Sequence, residues 1–202
     1  MIKAIVTCVW VITSSIFCME KIEDPQSMAL SKEAKEQFFK EGFIVIKEFF
    51  TLEEVKEVKA IALSLSDKAE KLWESVKNNS TSAESFEVKA VDKEGAYHID
   101  YKGTRFVLSE TSGGKIKINR IVWAGSAEPR LLKEVRQPKL LTIIAQLLGS
   151  TEADQLINQL HLKIPGDEVE FGPHQDVGNR RMFDPKWQDL NGQGSFTIAH
   201  CY

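Results

Sequence analysis

Between Thr51 and Val76, apolar residues recur at spacings of three and four: Val55, Val58, Ala62, Leu65, Ala69, Leu72 and Val76. That spacing lays one apolar stripe along one side of a helix. Thr51 followed three residues later by Glu54 supplies a capping box, so the helix start is fixed too. A stripe this long must be buried against another element, which commits the chain to a layered fold.

The flanking segments extend the pattern. Ser31 to Glu41 suits a shorter helix, with Phe38 and Phe39 on its buried side and Gly42 as the glycine that ends it. Phe43-Ile44-Val45-Ile46 then reads as a short buried strand. Asn78 to Ser85 is small and polar, a surface loop whose Asn78-Asn79-Ser80-Thr81 run holds glycosylation sequons, relevant only in a secreted eukaryotic setting. From 86 to 123 an imperfect alternation, with Phe106-Val107-Leu108 and with Ile116, Ile118, Ile121 and Trp123 around Gly113-Gly114, predicts short strands. Leu131 to Leu148 predicts a helix restarted at Pro138 and ended by Gly149. Leu156 to Ile164, before Pro165-Gly166, and Ser195 to Tyr202 predict further strands. Helices first and strands afterwards make the expected class α+β.

With 202 residues, one domain or one domain plus an extension is expected, large enough to bury a real core. Hydrophobic residues at 43% and charged residues at 27% match a soluble globular protein rather than a disordered chain. The 26 Lys plus Arg against 29 Asp plus Glu give a net charge of -3, without the basic footprint that nucleic acid requires. Cys8, Cys18 and Cys201 are an odd number without metal-type spacing, so neither a zinc site nor a disulfide framework follows.

Residues 1–27 form an extension distinct from the domain at 28–202. Met1-Ile2-Lys3 and the apolar run Ala4 to Phe17 resemble a secretory signal, too short to span a membrane comfortably. The cleavage region is poor, since Phe17 precedes Cys18 and only Thr13-Ser14-Ser15 approximates a small-x-small site. A mis-chosen start is the other reading, because Met28 stands just before the first helix. Location is accordingly cytoplasmic, or exported if residues 1–18 act as a signal, and the membrane is no partner except through this segment.

Chemistry concentrates in His174-Gln175-Asp176. One residue apart in an extended segment, the imidazole and carboxylate point to the same side, about 7 Å apart, and can chelate one metal. With a second histidine they make a facial triad that leaves three positions open on Fe(II), as a chelating 2-oxo acid and O2 require. By itself His-x-Asp is a common surface pair. Its setting is more specific: a strand ends in Pro165-Gly166, an acidic turn follows, and Phe171-Gly172-Pro173 delivers the motif.

In this order of features the sequence resembles the phytanoyl-CoA dioxygenase family over roughly Ser31 to Tyr202. The likeness rests on Gly42-Phe43-Ile44-Val45-Ile46 with Phe49 to Val58, on Arg136-Gln137-Pro138-Lys139-Leu140-Leu141 leading to Leu147-Leu148-Gly149, and on Lys163-Ile164-Pro165-Gly166 before His174-Gln175-Asp176. It implies N-terminal helices packed on a double-stranded β-helix (jelly-roll, cupin-like) barrel, of which only the first part is present. It also implies a non-haem Fe(II), 2-oxoglutarate-dependent dioxygenase that hydroxylates a small organic substrate with O2. His174 and Asp176 would be the catalytic metal ligands, and Asn158, Gln159, Gln175 and His200 the cosubstrate contacts.

Asn158 and Gln159 are both carried over because a one-residue slip of register exchanges the two faces of a strand. In the family a histidine tens of residues later is the third ligand, and an arginine beyond it pairs with the distal carboxylate of 2-oxoglutarate. This sequence ends at Tyr202, 26 residues after Asp176, so both groups would lie past it. His200 is open to three readings: third ligand, wall of the cosubstrate pocket, or core histidine. His161 and His98 carry less. Arg180 and Arg181 suit an anionic substrate or plain solvation, and Phe183 and Trp187 a pocket mouth or packing. The alternative function is a truncated, non-catalytic remnant lacking the third ligand. A cupin-like binding or isomerase protein on another metal would need more histidines near the motif, where Phe171 to Arg181 offers only His174.

Overall fold

The structure is a computed structural model that describes residues 5–13, 29–78, 85–149, 154–163 and 196–201, the first and last of these segments by their backbone. Helix α1 spans Lys32–Glu41 and α2 spans Leu52–Lys77. Strands β2 (Glu87–Val91), β3 (Tyr97–Tyr101), β4 (Thr104–Glu110) and β5 (Ile116–Val122) follow as an antiparallel meander. Short helices α3 (Ala124–Ala127) and α4 (Pro129–Val135) and the longer α5 (Pro138–Leu148) lead to β6 (Asp154–Lys163). β2 to β6 thus form a five-stranded antiparallel open sheet in chain order. Beyond β6 the order continues with β1 (Ile5–Thr13) and then β7 (Phe196–Cys201).

The α+β class is as expected, and the meander falls within the 86–123 stretch where short strands were anticipated, ahead of the helices that precede β6. Among the described strands the sheet is open, with no pairing between β2 and β7. Among the described residues no helix is long and apolar enough to cross a membrane. The signal-like Ile5–Thr13 run lies in β1, antiparallel to β6 on one side and to β7 on the other.

Local signals set the helix ends. The Thr51 hydroxyl accepts from the Glu54 amide at 3.2 Å and the Glu54 carboxylate accepts from the Thr51 amide at 2.7 Å, so two otherwise orphan donors are satisfied. Lys139 of α5 donates to the same Glu54 carboxylate and to the Phe49 carbonyl, tying the start of α2 to α5. Pro138 opens α5, and Gly149 ends it with a left-handed φ of 67° that other residues adopt at a cost.

The core lies between α2 with α4 and one face of the sheet. Ile61, Ala62, Leu65, Ala69 and Leu72 of α2 meet Ile99, Phe106, Leu108, Ile118, Ile121 and Leu160 of the strands and Leu131 of α4. Each large side chain buried there contributes about 1.5–3 kcal/mol relative to its exposed state.

Two sequence expectations fail at the N-terminal end. α1 buries no residue, and Phe39 is 68% exposed, although Phe38 and Phe39 were expected on a buried side. Phe43-Ile44-Val45-Ile46 forms no strand, and Val45 is 73% exposed. An isolated apolar tetrapeptide has no ladder to join: every described pairing of the sheet is made by β1 to β7.

Candidate functional site

Two cross-strand rows organise the sheet. One runs Val88, Ile99, Phe106, Ile121, Leu160, Cys8 and Cys201, one residue from each of the seven strands. From Ile99 to Leu160 every member is fully buried, so this row faces the helices. The neighbouring row runs Glu87, Asp100, Arg105, Val122, Gln159, Val9 and His200. Alternation along a strand puts it on the opposite face.

The rows separate the two cosubstrate candidates of β6. Asn158 is fully buried on the helix-packed side, where its Oδ1 accepts the Gly125 amide of α3 at 2.7 Å. The Asn158 carbonyl accepts the Trp123 amide at 2.7 Å. Trp123 itself holds a left-handed φ of 55°, and the buried Thr104 hydroxyl donates to its carbonyl at 2.7 Å while accepting from the Ala127 amide. A β-carbon on Gly125 would stand 2.5 Å from the Leu132 side chain of α4, so the glycine is what lets α3 and α4 pack this closely. Asn158 is therefore a joint between β6 and α3. Its acceptor is used, while its Nδ2 donor has no partner among the described residues.

Gln159 belongs to the other face, half-buried and in register with Val122. Across Val9 the same row reaches His200, two strand spacings or about 10 Å from Gln159. At the other end of the row Asp100 takes a two-pronged ion pair from Arg105 at 2.7 and 2.9 Å. The Arg105 hydrogen bonds are the main reason the Asp100 carboxyl titrates below the usual range. The cation of this row is thus neutralised within it and is committed to the sheet rather than to a ligand.

His98 is likewise engaged, with Nε2 at 3.1 Å from the Asp92 carboxylate, which also accepts the Glu94 and Ala96 amides in the β2–β3 turn. His161 pairs in register with Thr7. His174, Gln175 and Asp176 lie outside the described residues, as do Arg180, Arg181, Phe183 and Trp187. Among the described residues no three His, Cys, Asp or Glu side chains converge as a metal site.

What sequence reading missed is the Thr104, Trp123, Gly125 and Asn158 joint. Its one visible signal was Trp123-Ala124-Gly125, two small residues placed directly after a strand. A scan against protein families, a search of curated proteins and a search of solved structures each find no match.

Proposed function

We propose that this chain is a non-haem Fe(II), 2-oxoglutarate-dependent dioxygenase that hydroxylates a small organic substrate, built as helices on a double-stranded β-helix of the phytanoyl-CoA dioxygenase type. The observation that carries the reading is the row joining Gln159 to His200 on the face away from α2 and α4. α2 and α4 cover one face of the sheet, and a ligand would be met on the face that carries Gln159. Gln159 and His200 share this row, and in sequence they lie before and after the segment that bears His174-Gln175-Asp176.

His174 and Asp176 would hold the iron, since a neutral imidazole and a carboxylate suit Fe(II). Bound Fe(II) with 2-oxoglutarate and O2 supplies the oxidative decarboxylation that drives hydroxylation. Gln159 would orient the cosubstrate by donating its amide N–H to a carboxylate or keto oxygen. Asn158, whose acceptor is taken by Gly125, would act one step back by fixing the strand that carries Gln159.

Anaerobic Fe(II) titration of the purified chain, followed by succinate release from 2-oxoglutarate, tests the reading. One Fe(II) per chain is expected, with affinity falling more than about tenfold in His174→Ala and in Asp176→Ala. Equal affinity in the wild type and both variants would overturn it. A chain that folds and binds no Fe(II) would be the non-catalytic relative.

A further inference from the structure

Cys8 and Cys201 stand directly opposite one another in the antiparallel β1–β7 pair. Opposite residues of such a pair have Cα atoms about 4.5–5.5 Å apart and share a face of the sheet. That separation falls inside the roughly 4.4–6.8 Å that a disulfide spans. We propose that Cys8 and Cys201 form a cross-strand disulfide joining β1 to β7. In register the pair continues the row that runs from Ile99 to Leu160. The bond would hold β7 in the register that sets His200 opposite Val9.

The bond forms by two thiol–disulfide exchanges with a low-molecular-weight disulfide such as oxidised glutathione. The Cys8 thiolate attacks one glutathione sulfur, the S–S bond breaks, and one glutathione thiolate leaves. The Cys201 thiolate then attacks the Cys8 sulfur and displaces the second. Two protein thiols are oxidised, one glutathione disulfide is reduced to two thiols, and the two protein protons end on them. Sequence parity alone does not choose among the three pairings of Cys8, Cys18 and Cys201. The register chooses one. The inference does not rest on the iron reading.

Monomeric chain equilibrated in a glutathione redox buffer, alkylated without reduction and cleaved with chymotrypsin gives the test, because Trp10 and Phe17 separate Cys8 from Cys18. The expected product is a Cys8 peptide linked to a Cys201 peptide in most chains, with Cys18 alkylated. Cys18→Ser should keep the link, and Cys8→Ser should release Cys201 to alkylation. Alkylation of Cys8 or Cys201 in most wild-type chains, a dominant pair that includes Cys18, or a mature chain beginning after Cys8 would each overturn the proposal.

Discussion

The two N-terminal helices share good local signals and differ in what those signals achieve. α1 has the Ser31 cap, whose hydroxyl accepts the Ala34 amide at 3.1 Å, and the Gly42 stop at a φ of 83°. α2 has its capping box, and in addition a stripe that meets the sheet from Ile61 to Trp73. α1 buries nothing, and its phenylalanines pack edge-on against each other with ring centroids 5.5 Å apart. Caps decide where a helix begins and ends. Whether its apolar side is buried depends on a partner surface, which local sequence does not specify.

The sharpest way to break this contrast is to cut back one ring in each region and follow urea unfolding. Phe106→Ala, at the fully buried centre of the helix-facing row, should cost about 3–5 kcal/mol. Phe39→Ser in α1 should stay within about 0.5 kcal/mol. Similar losses at both sites would mean that α1 is as firmly packed as α2.

The neighbours Asn158 and Gln159 repeat the contrast on one strand. Asn158→Ala orphans the buried Gly125 amide and should cost about 1–3 kcal/mol. Gln159→Ala should leave stability within about 0.5 kcal/mol and act on 2-oxoglutarate affinity instead. A large stability loss at Gln159 with none at Asn158 would reverse their roles.

Thr51→Ala removes half of the capping box and should cost about 1 kcal/mol by the same unfolding measurement. A pH-dependent effect is expected at Asp100. Its folded-state titration is depressed by Arg105, so it adds stability above its unfolded value near pH 4 and loses it as pH falls through the folded one. Arg105→Met should therefore flatten the acid side of the stability profile below about pH 4. The pair is partly exposed, so the change should be under about 1 kcal/mol.

Much of the fold was legible in single residues. The Thr51 box, the Gly42 and Gly149 stops, the Pro138 restart and the strands at Phe106-Val107-Leu108 and Ile116 to Ile121 lie where their patterns put them. What failed was burial at Phe39 and Phe43 to Ile46, because apolar composition states a need for cover and says nothing of its source. At the candidate site, sequence left Asn158 and Gln159 interchangeable, and one contact, the Gly125 amide on Asn158, separates them. His174 and Asp176 were legible as a chelating pair by chemistry alone, and their placement lies outside the described residues. The Trp123 turn was hidden because a left-handed tryptophan is set by tertiary contacts rather than by its own preference.

The position of β1 between β6 and β7 has a consequence for how the chain is made. β1 leaves the ribosome well before either of its partners, since β6 begins only at Asp154 and β7 at Phe196. At roughly 5–20 residues per second it waits on the order of ten seconds or more with both edges unsatisfied. During that interval Ile5–Thr13 is an apolar strand without a ladder, a target for holding chaperones and a nucleus for self-association. Crowded or accelerated synthesis should therefore lower the soluble yield of this chain before it alters the stability of the molecules that do fold.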